Sequence, residues 1–336
     1  MVPKGMTHSP AGTQKATGEE QRPDTSNCGN CDAPGGNPPG SPGVNAASGE
    51  QNSLSFKKTL KIATWNLRSM NQGKSDIVKK EMDRLQIDIL GVTELRWTGS
   101  SHFQSDDFTV YYSGHDNIRK NGVAFIAQKN TVLAVESYKI TSERIMSICL
   151  HGKPMNITIL LVYAPTTDAS EEELERFYSE VQKAVDETPK KDVTYILGDF
   201  DVKVGKQAEA NIVGSFGLGK RNESGEHLIQ LCQENRLRLT NIWFMQPKRR
   251  LYTWTSPYGL NQNQIDYVLC SQQWRSSVVA VKTFPGAHCG SDHELLVAKI
   301  QVRLCGIKKH TPPKKFDISK IPASYTIEVK KSLLIT

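Results

Sequence analysis

The chain has 336 residues, of which 38% are hydrophobic, and a formal net charge of +7 at pH 7. No stretch is long and apolar enough to predict a membrane-spanning helix, and the amino terminus lacks the apolar core of a secretory signal. The positive charge suits an anionic partner such as nucleic acid, but it is equally typical of an ordinary basic protein. These bulk properties argue against a membrane protein and leave the function open.

The cysteines predict the compartment. There are seven of them, an odd number, and Cys149, Cys232 and Cys270 fall in apparent core segments. This pattern favours reduced thiols over a disulfide framework, so we expect an intracellular protein, nuclear or cytoplasmic, that is not secreted. Cys28 and Cys31 form a C-x-x-C pair, but no further ligands lie nearby at the spacing of a zinc site.

Composition divides the chain into three parts. Residues 1–53 are rich in Gly, Pro, Ser, Asn and Thr without hydrophobic periodicity, which predicts a disordered leader. From 54 to 305, short apolar runs alternate with amphipathic stretches, the pattern of one α/β or α+β domain. Residues 306–336 are basic and contain proline, and we expect an irregular tail.

The predicted elements follow in chain order. The first half has a strand at 61–65, a helix capped by Ser75, and strands at 87–92, 122–127, 131–137, 144–150 and 155–163. The second half has a helix capped by Ser170, a strand at 193–197, a helix from Ser224, and strands at 252–255, 265–269, 278–281 and 294–302. No internal repeat is evident.

Polar residues recur just after the apolar strands, where rigid strand ends can direct side chains into a cleft. They are Asn66, Glu94, Tyr163, Asp199, Asp201, Asp266, Asp292 and His293. Such a set suits phosphodiester hydrolysis, which needs a divalent cation, an activated water and stabilisation of new negative charge.

Three of these residues could bind the cation or activate the water. Asn66 and Glu94 offer the hard oxygen ligands that Mg²⁺ prefers. Asp199 follows a glycine after an apolar strand and could orient or deprotonate the attacking water. Taken singly, each could equally cap a strand or belong to a turn, and only their coincidence favours a site.

Three others suit the phosphate. His293 could bind it as an imidazolium, with Asp266 holding the ring. Tyr163 could donate a hydrogen bond from its hydroxyl to a phosphate oxygen, although a tyrosine at the end of an apolar strand more commonly packs in the core.

The whole set, in this order, resembles the endonuclease/exonuclease/phosphatase superfamily, the exonuclease III-like phosphohydrolases. The resemblance extends from about 60 to 302. It implies an α/β (α+β), DNase I-like fold: a four-layer α/β/β/α sandwich of two packed β-sheets flanked by helices, with the active site at one end. The roles that it implies are metal binding by Asn66, Glu94 and the metal-linked acid Asp292, phosphate contact by Tyr163, water activation by Asp199, and orientation of His293 by Asp266.

Four longer motifs resemble the endonuclease domain of non-LTR (LINE-type) retrotransposons, which nicks target DNA to prime reverse transcription. They are YAPTT at 163–167, RRLYTWTSP at 249–257, NQIDY at 263–267 and GSDHELL at 290–296. The resemblance implies a DNA-nicking endonuclease derived from such an element, with Mg²⁺ or Mn²⁺ as cofactor and DNA as partner. No polymerase region follows in this chain, so we expect an isolated or truncated, monomeric module.

One residue departs from the family pattern Gly-Asp-Phe/Leu-Asn, because Asp201 stands where Asn is expected. Asn can donate hydrogen bonds to a substrate phosphate, whereas a carboxylate only accepts them and adds negative charge. Loss of one oriented donor typically slows a reaction by about two to three orders of magnitude. Asp201 could instead bind a second cation or take up a proton beside Asp199.

Two alternatives stay open. One is a phosphatase of the same fold acting on a phosphoinositide or another small phosphomonoester, against which the retroelement-like motifs argue. The other is a catalytically impaired remnant that binds DNA or a protein partner, which is motivated by Asp201 and the missing polymerase.

Overall fold

The computed structural model describes residues 53–54, 58–71, 73–166, 168–303 and 322–333. The predicted leader therefore lies outside the described residues except for Ser53, as do Cys28, Cys31 and most of the predicted tail.

Two large sheets dominate the described part of the chain. In chain order the strands are β1 (Leu60–Asn66), β2 (Ile89–Thr93), β3 (Ser100–Ser105), β4 (Phe108–Ser113), β5 (Val123–Gln128), β6 (Val135–Ser142), β7 (Ile145–Leu150), β8 (Ile157–Tyr163), β9 (Val193–Asp199), β10 (Leu237–Leu239), β11 (Trp254–Thr255), β12 (Gln262–Asn263), β13 (Asp266–Ser271), β14 (Val278–Thr283) and β15 (Leu296–Ile300). The helices are α1 (Lys74–Leu85), α2 (Lys129–Val132), α3 (Glu171–Asp186), α4 (Glu223–Glu234) and α5 (Ala323–Leu333), with 3₁₀ turns at Lys248–Arg250 and Gln272–Ser277. None of the helices in the described ranges is long and apolar enough to cross a membrane.

Each sheet is built around one parallel pair. The seven-stranded sheet has the order β14-β15-β1-β2-β5-β4-β3, in which only β1 and β2 run parallel. The six-stranded sheet has the order β10-β13-β9-β8-β7-β6, in which only β8 and β9 run parallel. A parallel pair needs a crossover, and α1 and α3 lie within the two crossovers.

Three apolar clusters fill the spaces between four layers. The central cluster joins the inner faces of the two sheets and includes Ile62, Phe125 and Ile159. The second lies between the six-stranded sheet and helices α3 and α4, and the third between the seven-stranded sheet and α1. Because neighbouring residues of a strand face opposite sides, each sheet can serve two clusters. The predicted four-layer α/β/β/α sandwich is confirmed.

Gly91 lies at a place where the two sheets pack close together. It lies in the middle of β2, and a Cβ at this position would stand 2.6 Å from Leu161 Cδ1 and 2.7 Å from Leu197 Cδ1, both on the opposite sheet. A larger residue would push these leucines out of their packing.

Several predicted elements were wrong in detail. Helix α1 begins at Lys74 after Gly73, so Ser75 is not its cap, and the cap of α4 is Asn222, whose side chain accepts from the Gly225 amide. Part of the predicted strand at 131–137 is instead the short helix α2. Strands β3 and β4 were not predicted. Of the region 306–336, where we expect an irregular tail, the part that the structure describes contains helix α5.

Candidate active site

The parallel strand pairs bring polar residues to one edge of the sandwich. Asn66 is paired with Thr93, the residue before Glu94, and Tyr163 is paired with Asp199. Asp266 begins an antiparallel strand at the level of Asp199. The strand-end residues therefore meet because parallel neighbours end on the same side of a sheet.

His293 lies buried between two carboxylates. Its Nδ1 is 3.0 Å from Asp266 Oδ2, and its Nε2 is 3.9 Å from Asp199 Oδ2. Its backbone carbonyl accepts from Trp65 Nε1 at 2.9 Å, which fixes the residue against the seven-stranded sheet. His293 and Asp266 are therefore in hydrogen-bond contact, and the orienting role expected for Asp266 stays a prediction.

Burial lowers the pKa of His293, but the carboxylates of Asp266 and Asp199 outweigh burial and raise the pKa to about 9. Burial and the charge of Asp266 raise the pKa of Asp199 to about 7 from its usual 3.8. The imidazole of His293 is therefore protonated at neutral pH, whereas the pKa of Asp199 lies close to neutral pH.

Asn66, which we expect to bind the metal, is hydrogen-bonded to Asp199, which we expect to activate the water. Its Nδ2 donates to Asp199 Oδ2 at 2.8 Å, and its Oδ1 accepts from the Arg68 amide at 2.9 Å. These two bonds fix the orientation of the amide, because the carboxylate of Asp199 can only accept. Ser291 Oγ donates to the Asn66 carbonyl at 2.6 Å, so the loop before His293 is tied to β1.

The end of β9 and the turn that follows it have an unusual backbone conformation. Gly198 has φ 148°, and a Cβ there would stand 1.8 Å from the Val162 carbonyl oxygen. Asp201 has φ 49°, in the left-handed region, and its amide donates to Asp199 Oδ1 at 3.1 Å. The turn therefore presents both carboxyl-bearing residues to the same cleft.

Glu94 and Asp292 are each paired with an arginine. Glu94, with φ 56°, forms an ion pair with Arg96. Asp292 Oδ2 accepts from Trp254 Nε1 at 3.1 Å and lies 3.4 Å from an Arg68 nitrogen. Both carboxylates are mostly buried, with side chains 16% and 19% exposed.

Tyr163 is held in place by Arg144. The guanidinium lies 5.2 Å from the centre of the ring, and it donates to the Tyr163 and Ala164 carbonyls. Burial, followed by the charges of Glu94 and Asp199, raises the pKa of Tyr163 far above its usual 10. Its hydroxyl therefore stays protonated at physiological pH and can donate a hydrogen bond.

Seven of the eight candidate residues predicted from the sequence line one open cleft of about 440 Å³, and Asp266 is the exception. Residues that sequence reasoning missed line it as well: Arg68, Thr166, Lys203, Asn222, Trp254 and Asn263. Thr166, Trp254 and Asn263 lie within the retroelement-like motifs, and these motifs were the signal by which they could have been found. Arg68 and Lys203 carried none, since each lies in a loop whose course depends on the folded chain.

The site can accommodate a cation. Two carboxylate oxygens, Asp266 Oδ1 and Asp292 Oδ1, are buried without a hydrogen-bond partner among the described residues. Buried acceptors of this kind suit a bound ion, and the cleft also offers the hard oxygens of Asn66 and Glu94. Within the same described residues, Asp199, Asp266 and His293 form a group whose ligand atoms lie within 4.8 Å, which could hold a metal ion.

Comparison with known proteins identifies relatives. A profile described as the Endonuclease/Exonuclease/phosphatase family matches residues 63–293. Craniofacial development protein 2 of Bos taurus is 49% identical over 302 residues, which cover 90% of this chain and 51% of the relative. The chain thus spans about half the length of the curated relatives it matches.

Two solved structures are similar in fold. The endonuclease domain of TRAS1, a telomere-specific non-LTR retrotransposon, gives a TM-score of 0.55 at 12% identity over 74% of this chain and 100% of that chain. The 3' phosphatase NExo from Neisseria, bound to product DNA hairpin, gives 0.54 at 18% identity over 72% of this chain and 99% of that chain. At these identities the likeness shows the fold alone, and it agrees with the four-layer sandwich.

Proposed function

The chain belongs to the endonuclease/exonuclease/phosphatase family, and from that premise we propose that it is a phosphodiesterase dependent on Mg²⁺ or Mn²⁺ that nicks DNA. The observation that carries the proposal is the buried pair of His293 and Asp266 beside Asp199, at the edge where the strands of both sheets end. The similarity of the fold to a retrotransposon endonuclease and to a DNA-bound phosphatase supports DNA as the substrate.

The residues divide the work of the reaction. Asp199, fixed by Asn66, holds the attacking water and accepts its proton, a role suited to a pKa near neutrality. The imidazolium of His293 binds a non-bridging phosphate oxygen and stabilises the negative charge of the transition state. Tyr163 donates a hydrogen bond from its hydroxyl to the phosphate. It lies on the strand that flanks Asp199 on the side opposite to Asp266.

Glu94, Asn66 and Asp292 would hold the divalent cation. A cation bound by these residues would supply positive charge to offset the negative charge of the phosphate and of its leaving oxygen. We favour this oxygen set over the group of Asp199, Asp266 and His293, because His293 keeps its proton at neutral pH and a protonated nitrogen cannot be a ligand.

Two further proposals concern origin and context. The retroelement-like motifs favour descent from a non-LTR retrotransposon endonuclease. We expect the domain to act on DNA as a monomer, in the nucleus or the cytoplasm.

A plasmid-nicking assay tests the function. In Mg²⁺, supercoiled DNA should become open circle, and Glu94→Ala or His293→Ala should reduce the rate by at least about a hundredfold. Glu175→Ala and His288→Ala, both at exposed positions away from the cleft lining, are matched controls that should keep the rate. Plasmid that stays supercoiled at high enzyme concentration would rule out the nicking activity.

Asp201 favours one competing function. If its carboxylate repels the phosphate strongly enough, the domain would bind DNA or a partner without cleaving. Electrophoretic mobility of a labelled duplex separates the two: binding without any nicking in Mg²⁺ or Mn²⁺ supports the remnant, whereas nicking supports the enzyme.

A further inference from the structure

A second groove adjoins the cleft. It has a volume of about 610 Å³ and is lined by Arg68, Arg96, Arg119, Trp97 and Tyr112 among others, with no acidic residue among the described residues that line it. Arg68 lines both the groove and the cleft, so the two are continuous. We refer to this surface as the arginine groove.

The frame of the arginine groove is rigid. The loops after β1 and β2 are joined by backbone hydrogen bonds, from Ser69 to Glu94 at 2.8 Å and from Met70 to Leu95 at 3.1 Å. Trp97 Nε1 donates to the Met70 carbonyl at 3.0 Å, and the Trp97 ring meets Tyr112 edge-on at 5.3 Å. The groove is therefore preformed, although Arg96 itself is 46% exposed and free to change its rotamer.

Two arginines of the groove are bound to carboxylates of the cleft. Arg96 is paired with Glu94, and Arg68 lies 3.4 Å from Asp292. Arg119 makes no ion pair within the described part of the chain. A divalent cation and a guanidinium compete for the lone pairs of the same carboxylate.

We propose that Arg96 is an exchangeable counter-ion: it neutralises Glu94 until a divalent cation binds there, and the cation then releases it to bind a phosphate of the nucleic acid in the arginine groove. This inference rests on the proposed function of the cleft. Cation and nucleic acid then bind cooperatively, since each favours the arrangement that the other needs, and the coupling is equal in both directions.

Cation affinity tests the exchange without catalysis. The full chain is titrated with Mn²⁺ in a calorimeter. The dissociation constant should be at least about fivefold lower for Arg96→Gln than for the parent, because the guanidinium that competes for Glu94 is gone. Arg119→Gln removes an equal charge from the same groove without a carboxylate partner, and its Mn²⁺ affinity should change less. Equal affinities in the parent and Arg96→Gln would overturn the proposal.

The nucleic-acid side needs a second measurement. Anisotropy of a labelled phosphorothioate duplex should show that Mn²⁺ tightens binding to the parent by several-fold more than binding to Arg96→Gln. Arg119→Gln should weaken binding with and without Mn²⁺ by similar factors. Arg96→Lys keeps the charge and should fall between parent and Arg96→Gln, which guards against a folding defect.

Failure of the inference and failure of the function remain distinguishable. If plasmid is nicked and His293→Ala abolishes nicking while Arg96→Gln changes neither measurement, only the exchange is rejected. If plasmid is never nicked but the Mn²⁺ coupling depends on Arg96, the exchange stands and the hydrolytic function is rejected.

Discussion

Asp201 places a carboxylate where a hydrogen-bond donor is expected beside the substrate. The hydrogen bond that holds the turn runs from the backbone N–H of Asp201 to the side chain of Asp199. An asparagine side chain could therefore replace that of Asp201 without disturbing the turn. We predict that Asp201→Asn raises the nicking rate by about one to two orders of magnitude, because a donor is restored and a negative charge removed. A plasmid assay at fixed Mg²⁺ measures this.

Asp201→Ala separates the two effects, since it removes the charge without supplying a donor. Its rate should lie between those of the parent and Asp201→Asn. A rate for Asp201→Asn at or below that of the parent would contradict this account of the position.

The proton on His293 depends on Asp266. We predict that Asp266→Asn lowers the pKa of His293, because the amide keeps an acceptor at Nδ1 but removes the charge that offsets burial. Titration of the imidazole ring protons by NMR in EDTA measures the shift, with the exposed His288 as an internal reference. An unchanged pKa of His293 would show that Asp266 only orients the ring.

The residue positions show what sequence can and cannot predict. Asn66, Tyr163 and Asp199 could be found because they follow recognisable apolar strands. Their roles as ligand, donor and base stay predictions. Arg96 could not be found, since its contact with Glu94 depends on left-handed backbone at both residues, which short-range patterns do not reveal.

At the scale of elements, the approach of the sheets at Gly91 can be tested. A Cβ would come within 2.7 Å of Leu161 and Leu197, which are flexible at their ends, so the core can yield at a cost of about 1–3 kcal/mol. We predict that Gly91→Ala lowers the thermal midpoint by about 2 to 10 °C. Circular dichroism during heating measures it.

Gly286→Ala is the matched control, because a Cβ there meets nothing within 4 Å. It should leave the midpoint nearly unchanged. If Gly286→Ala lowered the thermal midpoint as much as Gly91→Ala, the effect at Gly91 could not be assigned to close contact between the sheets at β2.

The elements that sequence missed share one property. Strand β3 is exposed along most of its length, so it lacks the apolar alternation by which strands are recognised. It becomes a strand by pairing with β4, whose partner residues lie three to thirteen positions further along the chain. The start of α1 at Gly73 was missed because a serine two residues later offered a stronger capping signal.

At the scale of the whole molecule, the site links stability to pH. The folded chain raises the pKa of His293 to about 9 from 6.5 and that of Asp199 to about 7 from 3.8, so it binds both protons more tightly than the unfolded chain. The contribution of His293 to stability is complete below about pH 6.5 and is lost as the pH rises through 9. The contribution of Asp199 is lost as the pH rises through 7. Both groups therefore act in the same direction.

We predict that the thermal midpoint in EDTA falls between pH 6 and pH 8.5. The double variant Asp199→Asn, His293→Gln should show a flatter profile, and an equally steep one would locate the effect elsewhere. As the pH rises, Asp199 gains negative charge and His293 begins to lose its positive charge beside the proposed cation site, so adding Mg²⁺ should raise the midpoint more at pH 8.5 than at pH 6. A larger rise at pH 6 would contradict cation binding by the carboxylates of the cleft.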